Sequence, residues 1–220
     1  MAIDLTKCWT EQPLVVVDFE TCGLDASNGA VEVAAVRFEG GVVVDSFSTL
    51  LDPGHPIPPD ATAIHGITDA MVANAPTLLS VAASLLRVCR DAIPCAYSSD
   101  FDRSFLHAQI TGNECPAFDP EQRWMDPLVI VKDVDKYVKG KGRHRLTATC
   151  ARWKVTLDEA HRARADAEAA GRLLYALLEK GKVRRCRPLP FTYLSISLTI
   201  TSGSIHRCSG SNAGHSFPVI

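Results

Sequence analysis

At 220 residues, with 46% hydrophobic side chains, the chain is long enough for one globular domain with a sizeable core and a short appendage. A formal net charge of −2 and a pI near 6.4 argue against a general polyanion-binding surface, so any nucleic acid must be held locally. The N-terminus lacks the layout of a signal peptide and no apolar run approaches membrane-spanning length, which predicts a cytoplasmic protein without membrane contact.

The first third of the chain predicts three strands, over residues 14–20, 31–38 and 42–49, separated by Gly and Asn turns. Their short connections favour an antiparallel meander. The first strand should be central, because its Leu-Val-Val-Val run is apolar on both faces. Prolines between 53 and 59 then delay regular structure until a short helical stretch near 61–64.

The remaining elements alternate between helix and strand. Thr77 begins a helix with apolar positions at helical spacing, and Pro94 ends it and opens the next short strand. The elements that follow are strands near 95–98 and around Trp124 and Met125, and helices over about 101–111, 127–138, 146–154 and 164–180. A meander followed by this alternation predicts an α/β fold, in which helices pack on a mixed sheet.

Asp18 and Glu20 lie at the end of the first predicted strand. Side chains alternate along a strand, so these two carboxylates point the same way. Burying two like charges side by side is unfavourable unless cations neutralise them, which indicates a divalent metal site. A strand that exits into solvent with both acids hydrated explains the motif alone equally well.

Three further positions favour the metal site. Asp102 lies where a short strand turns into an amphipathic helix, and His161 and Asp166 lie ahead of the last long helix. This order of Asp, Glu, Asp and a His five residues before a last Asp resembles the DEDDh 3′-to-5′ exonucleases, most closely exonuclease X and the proofreading epsilon subunit of bacterial DNA polymerase III. The resemblance covers roughly residues 12–180 and implies a ribonuclease-H-like fold, with a five-stranded mixed sheet and flanking helices.

The resemblance also implies an activity: metal-dependent release of nucleoside 5′-monophosphates from DNA 3′ ends, preferentially single-stranded, in repair or proofreading. Asp18, Glu20, Asp102 and Asp166 would hold two Mg²⁺ or Mn²⁺ ions, and His161 would act as general base. Residues five apart on one helix do not face the same way, so His161 should lie on a loop before the helix. The alternatives are the same chemistry on RNA and a catalytically silent, nuclease-like module that binds a polymerase; a DNA polymerase is also a possible partner of the active enzyme.

Four more residues match family positions that contact the terminal nucleotide. Thr21 and Leu24 follow the acidic strand, and His65 and Asp60 resemble a histidine and its acidic neighbour in the epsilon-type enzymes. Strand-end packing for the first two, and a helix-end hydrogen bond for His65, are the alternatives. One segment departs from the family: Tyr97-Ser98-Ser99 replaces the usual His-Asn-Ala, which puts a supporting or substrate hydrogen bond in doubt.

Two basic segments, residues 139–145 and 180–187, could guide a phosphate backbone, although a solvated loop explains either one alone. The eight cysteines are scattered, with no pair two to four residues apart, which predicts reduced thiols rather than zinc ligands or disulfides.

The composition changes after Pro188. We therefore predict an exonuclease domain over residues 1–187 and a Ser/Thr-rich tail over 188–220, in which Arg207 is the only formally charged side chain. A disordered or loosely attached tail is the first interpretation. An extra edge strand over Phe191 to Thr201 is the second, and translation of a shifted frame is the third.

Overall fold

The strands of the protein form one sheet. The computed structural model describes residues 9–110, 124–180 and 194–195. The strands are β1 (Leu14–Thr21), β2 (Ala30–Glu39), β3 (Val42–Leu50), β4 (Ile93–Cys95), β5 (Trp124–Met125) and β6 (Leu194–Ser195). Their order is β3-β2-β1-β4-β5-β6, in which β1, β2 and β3 pair antiparallel, β4 and β5 add in parallel, and β6 returns antiparallel. The mixed sheet with a central first strand is thus confirmed; β1 to β5 are the five predicted strands, and β6 is a sixth at the edge.

Seven α-helices connect and cover the strands in the described part of the chain. They are α1 (Pro59–His65), α2 (Asp69–Val72), α3 (Leu78–Cys89), α4 (Ser99–Gln109), α5 (Pro127–Val134), α6 (Leu146–Trp153) and α7 (Ala163–Glu179). Thr77 caps α3 through its side chain, as its position predicts. None of the helices described is long and apolar enough to cross a membrane.

Some predicted boundaries are wrong. The strand predicted at 95–98 runs from Ile93 to Cys95 and contains Pro94; the flanking Ile93 and Ala96 donate to backbone carbonyls of the neighbouring chain segments, so the proline needs no N–H there. The short helix α2 was not predicted. Helix α5 ends at Val134, four residues early, because the next carboxylate, Asp135, is bound by Arg152 and by the Trp153 indole from α6.

The predictions for the C-terminal tail and for the cysteines can be compared with the described residues. Leu194–Ser195 pairs with β5 as an edge strand, which agrees with the second interpretation of the tail at these two positions; the rest of the tail and the basic segment from 181 onward lie outside the described residues. Cys22, Cys89, Cys95 and Cys150 are buried free thiols, which agrees with the prediction of reduced cysteines.

The alternating side chains of β1 divide the core into two layers. Val15, Val17 and Phe19 pack towards α3 and α4, whereas Leu14 and Val16 pack towards α7. Helix α7 lies very close to the sheet, since a Cβ at Gly171 would overlap the ring of Phe38. The acids that continue the second layer, at positions 18 and 20, therefore face the side of the sheet that α7 covers.

Candidate active site

The site begins where β1 extends beyond its neighbour β4. Their pairing stops at Val16 opposite Cys95, which leaves the end of β1 without a strand on that side. Glu20 is buried, with 8% of its surface exposed, and Asp18 is half-buried. The alternative in which both acids are freely hydrated at an exposed strand end is therefore wrong.

Asp102 reaches this end of β1 from the first turn of α4. Its Oδ1 accepts the backbone N–H of Phe19 at 3.1 Å, and the side chain is 2% exposed. Phe19 lies between Asp18 and Glu20 on a part of the strand that β4 does not cover, so its N–H requires another acceptor when buried. This hydrogen bond holds the third acid beside the first two.

His161 and Asp166 approach from the start of α7. His161 is exposed on the loop before the helix, as predicted, with the left-handed backbone angle φ of 65°. Its N–H donates to Oδ2 of Asp166 at 3.3 Å. Carboxylate or imidazole atoms of Glu20, His161 and Asp166 all lie within 4.8 Å of one another, which is close enough for one shared cation.

The four acids repel one another in a poorly hydrated place. Burial raises the pKa of Asp18 far above its ordinary value, and the charges of Asp102, Asp166 and Glu20 raise it further. Burial also raises the pKa of Asp102.

The pKa values of Glu20 and Asp166 are also raised, into the pH range between about 6 and 8. The pKa of Glu20 rises to about 8, mainly through burial and then through Asp166, and only Arg162 opposes the rise. Burial raises the pKa of Asp166 to about 6, and its Oδ1 is buried without a hydrogen-bond partner among the described residues. Such a pocket favours bound protons or bound divalent cations.

Glu32 is a functional candidate that the sequence did not suggest to us. It pairs across the sheet with Glu20 and is 3% exposed. Its two oxygens accept from Arg162, with Nε at 3.1 Å and Nη2 at 2.8 Å, and from the Ala163 N–H at 3.0 Å. These bonds fix the start of α7, two residues after His161. The available signal was Glu32, the one charged residue within the apolar stretch 30–36 of β2.

Asp126 was missed as well. Its buried carboxylate accepts the N–H groups of Ser98 and Ser99, both at 3.1 Å, and of Leu128 at 2.8 Å. It therefore caps α5 and holds the turn that leads into α4 and Asp102. An Asp before Pro127 is a recognisable cap, but its second set of bonds joins segments 27 residues apart.

In the segment that departs from the family, Tyr97 contacts α6 and the loop before it. The hydroxyl of Tyr97 donates to the carbonyl of His144 at 2.6 Å and lies 3.0 Å from Oγ1 of Thr149. Burial raises the pKa of Tyr97 to about 12, which keeps this hydroxyl protonated. Ser98 has φ 73° and ψ 55°, a left-handed conformation that Asn and Gly adopt more readily than Ser.

The predicted substrate contacts are only partly brought together. Leu24 is 90% exposed, just past β1, and Thr21 supports the intervening turn by donating from Oγ1 to Gly23 O at 2.7 Å. His65 is buried beside the backbone of Thr21; its Nδ1 accepts the Ile67 N–H at 3.0 Å, the helix-end bond expected by the alternative interpretation.

Asp60 stands apart from these residues. It is exposed in the first turn of α1, and within the described residues it makes no hydrogen bond or ion pair with the acids, His65 or Thr21.

Comparisons with known proteins show the family of the chain. The RNase_T family model, described as exonuclease, matches residues 15–174. A PolC-type DNA polymerase III of Streptococcus pyogenes serotype M2 is 34% identical over 173 residues, which are 78% of this chain and 12% of the relative. The chain thus spans only about an eighth of the length of the curated relatives it matches.

Two solved structures are also similar. Exonuclease X in complex with 5′ overhanging duplex DNA has a TM-score of 0.62 and 28% identity, covering 78% of this chain and 95% of that one. The nuclease domain of a DEDDh-family 3′ exonuclease bound to rAMP has a TM-score of 0.63 at 16% identity, covering 79% and 96%, and this second likeness supports the fold alone.

Proposed function

This chain belongs to the exonuclease family, as a DEDDh-type domain with a ribonuclease-H-like fold, and from that premise we propose that it removes nucleotides from the 3′ ends of DNA. The products would be nucleoside 5′-monophosphates. The observation that carries the proposal is the meeting of two buried acids, two half-buried acids and an exposed histidine at the end of β1.

The four acids fit a pair of divalent cations. We propose Asp18, Glu20, Asp102 and Asp166 as their ligands, because hard cations such as Mg²⁺ and Mn²⁺ prefer carboxylate oxygens. The raised pKa values and the unpartnered Oδ1 of Asp166 support this assignment. When bound, two such ions would stabilise the negative charge that develops on the phosphate and on the attacking and leaving oxygens.

His161 is the proposed general base. Imidazole changes protonation near neutral pH, so it can take the proton of the attacking water as that oxygen bonds to phosphorus. The bond from phosphorus to the 3′ oxygen of the preceding nucleotide breaks in the same displacement. The hydrogen bond from the His161 backbone to Asp166 would keep the ring at the edge of the acidic pocket, where it remains accessible to substrate.

Thr21, Leu24 and His65 are the proposed contacts of the terminal nucleotide. The exposed Leu24 side chain is available to a base, and the backbone of Thr21 and the ring of His65 lie together behind it. The contact predicted for Asp60 would require the strand end to reach the first turn of α1.

Two similar proteins support DNA as the substrate. Exonuclease X was solved with duplex DNA, and the PolC-type relatives are DNA polymerases. We therefore propose a role in repair or proofreading in the cytoplasm, with a polymerase as a possible partner. We further propose that residues 1–187 form the exonuclease domain and that 188–220 is a tail without catalytic residues. RNA is the second candidate substrate, since one neighbour of the same fold binds rAMP.

The test uses matched DNA and RNA oligonucleotides, labelled at either end, with Mg²⁺, Mn²⁺ or EDTA. We expect Mg²⁺- or Mn²⁺-dependent shortening from the 3′ end, faster on DNA, with release of 5′-monophosphates. Shortening from the 5′ end would contradict the proposed direction. A folded protein that degrades neither polymer would support the silent, polymerase-binding module instead.

A further inference from the structure

An open groove of about 770 Å³ leads away from the acidic pocket. His161 and Asp166 lie at one part of its wall, and the wall continues along α5 and the loop between α5 and α6. We call it the basic groove, because three of its lining side chains are the cations Lys132, Lys141 and Arg145. Among its lining residues in the described part of the chain, Asp166 is the only acid, and that residue belongs to the proposed metal site.

The positive charge is a local feature. Residues 132–145 contain six Lys and Arg residues against two Asp residues, a net charge of +4 in a chain whose overall charge is −2. One of the two acids, Asp135, is already engaged by Arg152 at 2.7 Å and by the Trp153 indole at 2.9 Å. The segment therefore presents a positive potential beside an otherwise acidic site.

The loop is held in place through its backbone. Tyr97 from the end of β4 donates to the His144 carbonyl, and Arg152 from α6 donates to the Arg143 carbonyl at 3.0 Å. Gly142 adopts φ 76°, which permits the tight turn closed by the hydrogen bond to its carbonyl from the N–H three residues on. These bonds fix the backbone of the loop, and the fixed backbone sets which of the loop cations line the groove.

The loop cations fall into two classes as a result. Lys141 and Arg145 line the basic groove, whereas Lys139 and Arg143 are exposed on the same loop and do not line it. The alternative of a uniformly solvated basic loop, which the sequence left open, does not distinguish these two classes.

Other side chains that line the groove are apolar or aromatic. Ile64 is 61% exposed at the rim, and Leu128 and the ring of Tyr97 also line the wall. A combination of cations with apolar and aromatic surface is suited to a single strand, whose phosphates meet the cations while its unstacked bases contact the ring and aliphatic side chains. A duplex keeps its base faces stacked inside and gains less from such a wall.

We propose that the basic groove binds the single strand on the 5′ side of the scissile phosphate, and that Lys141 and Arg145 hold two of its phosphates; this inference rests on the proposed exonuclease function. The replacement of the family's usual histidine by Tyr97 then has a consequence, because its hydroxyl anchors the loop that carries both cations.

The experiment compares two substrates. One is a 12-nucleotide single strand of whichever sugar type the full-length protein degrades faster. The other is the p-nitrophenyl ester of thymidine 5′-monophosphate, in which p-nitrophenol replaces the preceding nucleotides. The groove variant is Lys141→Ala with Arg145→Ala, and the matched control is Lys139→Ala with Arg143→Ala, which removes the same charge from the same loop.

We expect the ratio of kcat/KM on the 12-mer to kcat/KM on the ester to fall roughly tenfold in the groove variant and less than about twofold in the control. The dependence of log kcat/KM on log salt should also become less steep by about 1.4 in the groove variant, since each phosphate contact on a single strand contributes about 0.7.

Equal falls in both variants would mean that only long-range charge matters and would overturn the proposal. An unchanged ratio in the groove variant would overturn it as well. Either result with an active wild type leaves the exonuclease function intact, whereas a wild type that hydrolyses neither substrate overturns the function itself. Circular dichroism melts establish that each variant is folded; if the alanine pair is not, Lys141→Gln with Arg145→Gln serves for the same measurement.

Discussion

Two groups of buried carboxylates at the same end of the sheet differ in what surrounds them. Glu32 and Asp126 are each held by three protein N–H donors or more, including a guanidinium for Glu32. Asp18, Glu20 and Asp166 lie close together; burial and neighbouring carboxylates raise the pKa values of Asp18 and Glu20, and burial and then the charge of Glu32 raise the pKa of Asp166. We call these the satisfied acids and the site acids.

The difference distinguishes carboxylates that stabilise the fold from carboxylates that are available for function. A buried carboxylate with a full set of donors joins distant segments, as Glu32 joins β2 to α7. Buried carboxylates that lack such donors lower the stability of the metal-free protein and are retained where an external cation or proton can bind. The satisfied acids position the elements that carry the site acids, so the two groups depend on each other.

The largest expected effect comes from Asp18→Asn. We expect kcat to fall by about 10³-fold or more, because one ligand of the proposed cations loses its charge. The melting temperature without metal at pH 8.5 should rise, because repulsion among the site acids is removed. Kinetics on a labelled oligonucleotide and thermal melts in EDTA measure both effects.

Asp126→Asn is the opposing control for that experiment. It replaces an acceptor oxygen of a satisfied acid with an amide N–H₂ that faces backbone donors, so it should lower the metal-free melting temperature. If both variants shift the melting temperature in the same direction, the distinction between the two groups is wrong.

A second prediction concerns pH. The pKa rises on folding from 4.5 to about 8 for Glu20 and from 3.8 to about 6 for Asp166, so the folded metal-free protein binds more protons than the unfolded chain over this interval. Its stability should therefore fall as pH rises from about 4 to about 8, by at most about 1.4 kcal/mol per pH unit for each group. Mg²⁺ should raise the melting temperature more at pH 8 than at pH 5, since the cations compete with protons.

The contribution of Glu20 is isolated by comparison with Glu20→Gln. Titrating groups whose pKa does not depend on Glu20, such as His65 with a pKa lowered by burial, are common to both proteins and cancel in the difference. A metal-free melting temperature that falls with pH equally in wild type and variant would count against the predicted protonation of Glu20.

Glu32→Gln tests the satisfied acids. Losing the charge opposite Arg162 should lower the free energy of unfolding by about 1 to 3 kcal/mol. Because the same carboxylate fixes the N–H of Ala163, two residues after His161, kcat should fall roughly tenfold while KM changes less than about twofold. Chemical denaturation and steady-state kinetics measure the two effects.

Glu168→Gln, on the helix α7 whose start Glu32 binds, is the matched control. Its bond to Arg172 is a mostly exposed pair four residues apart, with 51% of the Arg side chain and 31% of the Glu side chain in solvent. Such pairs contribute about 0.5 kcal/mol or less. A loss at Glu32 as small as the loss at Glu168 would mean that burial of the satisfied acid does not matter.

The sequence predicted the elements whose signal is local. The all-apolar run of β1 indicated a central strand, and the Thr77 cap and helical spacing predicted the start of α3, although α3 ends at Cys89 rather than just before Pro94. Asp18 and Glu20 were identifiable because alternation along a strand puts both on one side. The placement of His161 before α7 followed from helix geometry once the family resemblance implied that His161 and Asp166 meet at one site.

What escaped prediction depends on contacts between distant segments. Glu32 acquires its partners 130 residues later, and Asp126 holds a turn that precedes it by 27 residues. Helix α5 ends early because Arg152 and Trp153 from α6 bind the carboxylate after its last turn. None of these pairings leaves a periodic pattern, so only the folded arrangement reveals them.

The smallest expected effect is at Ser98, the left-handed residue that Asp126 holds in place. Its φ of 73° is unfavourable for Ser, and its side chain makes no capping bond to α4. Asn adopts left-handed angles more readily and is a strong N-cap residue, so Ser98→Asn should raise the free energy of unfolding by about 0.5 to 1 kcal/mol. Ser104→Asn is the control, because Ser104 is exposed in the interior of α4, where the backbone is helical. This change should be neutral or slightly destabilising. A gain in stability from Ser98→Asn would show that the Asp126 carboxylate holds this turn in a conformation that is unfavourable for Ser. A loss of stability at Ser98 equal to the loss at Ser104 would show that the Asp126 bonds leave no strain in that turn.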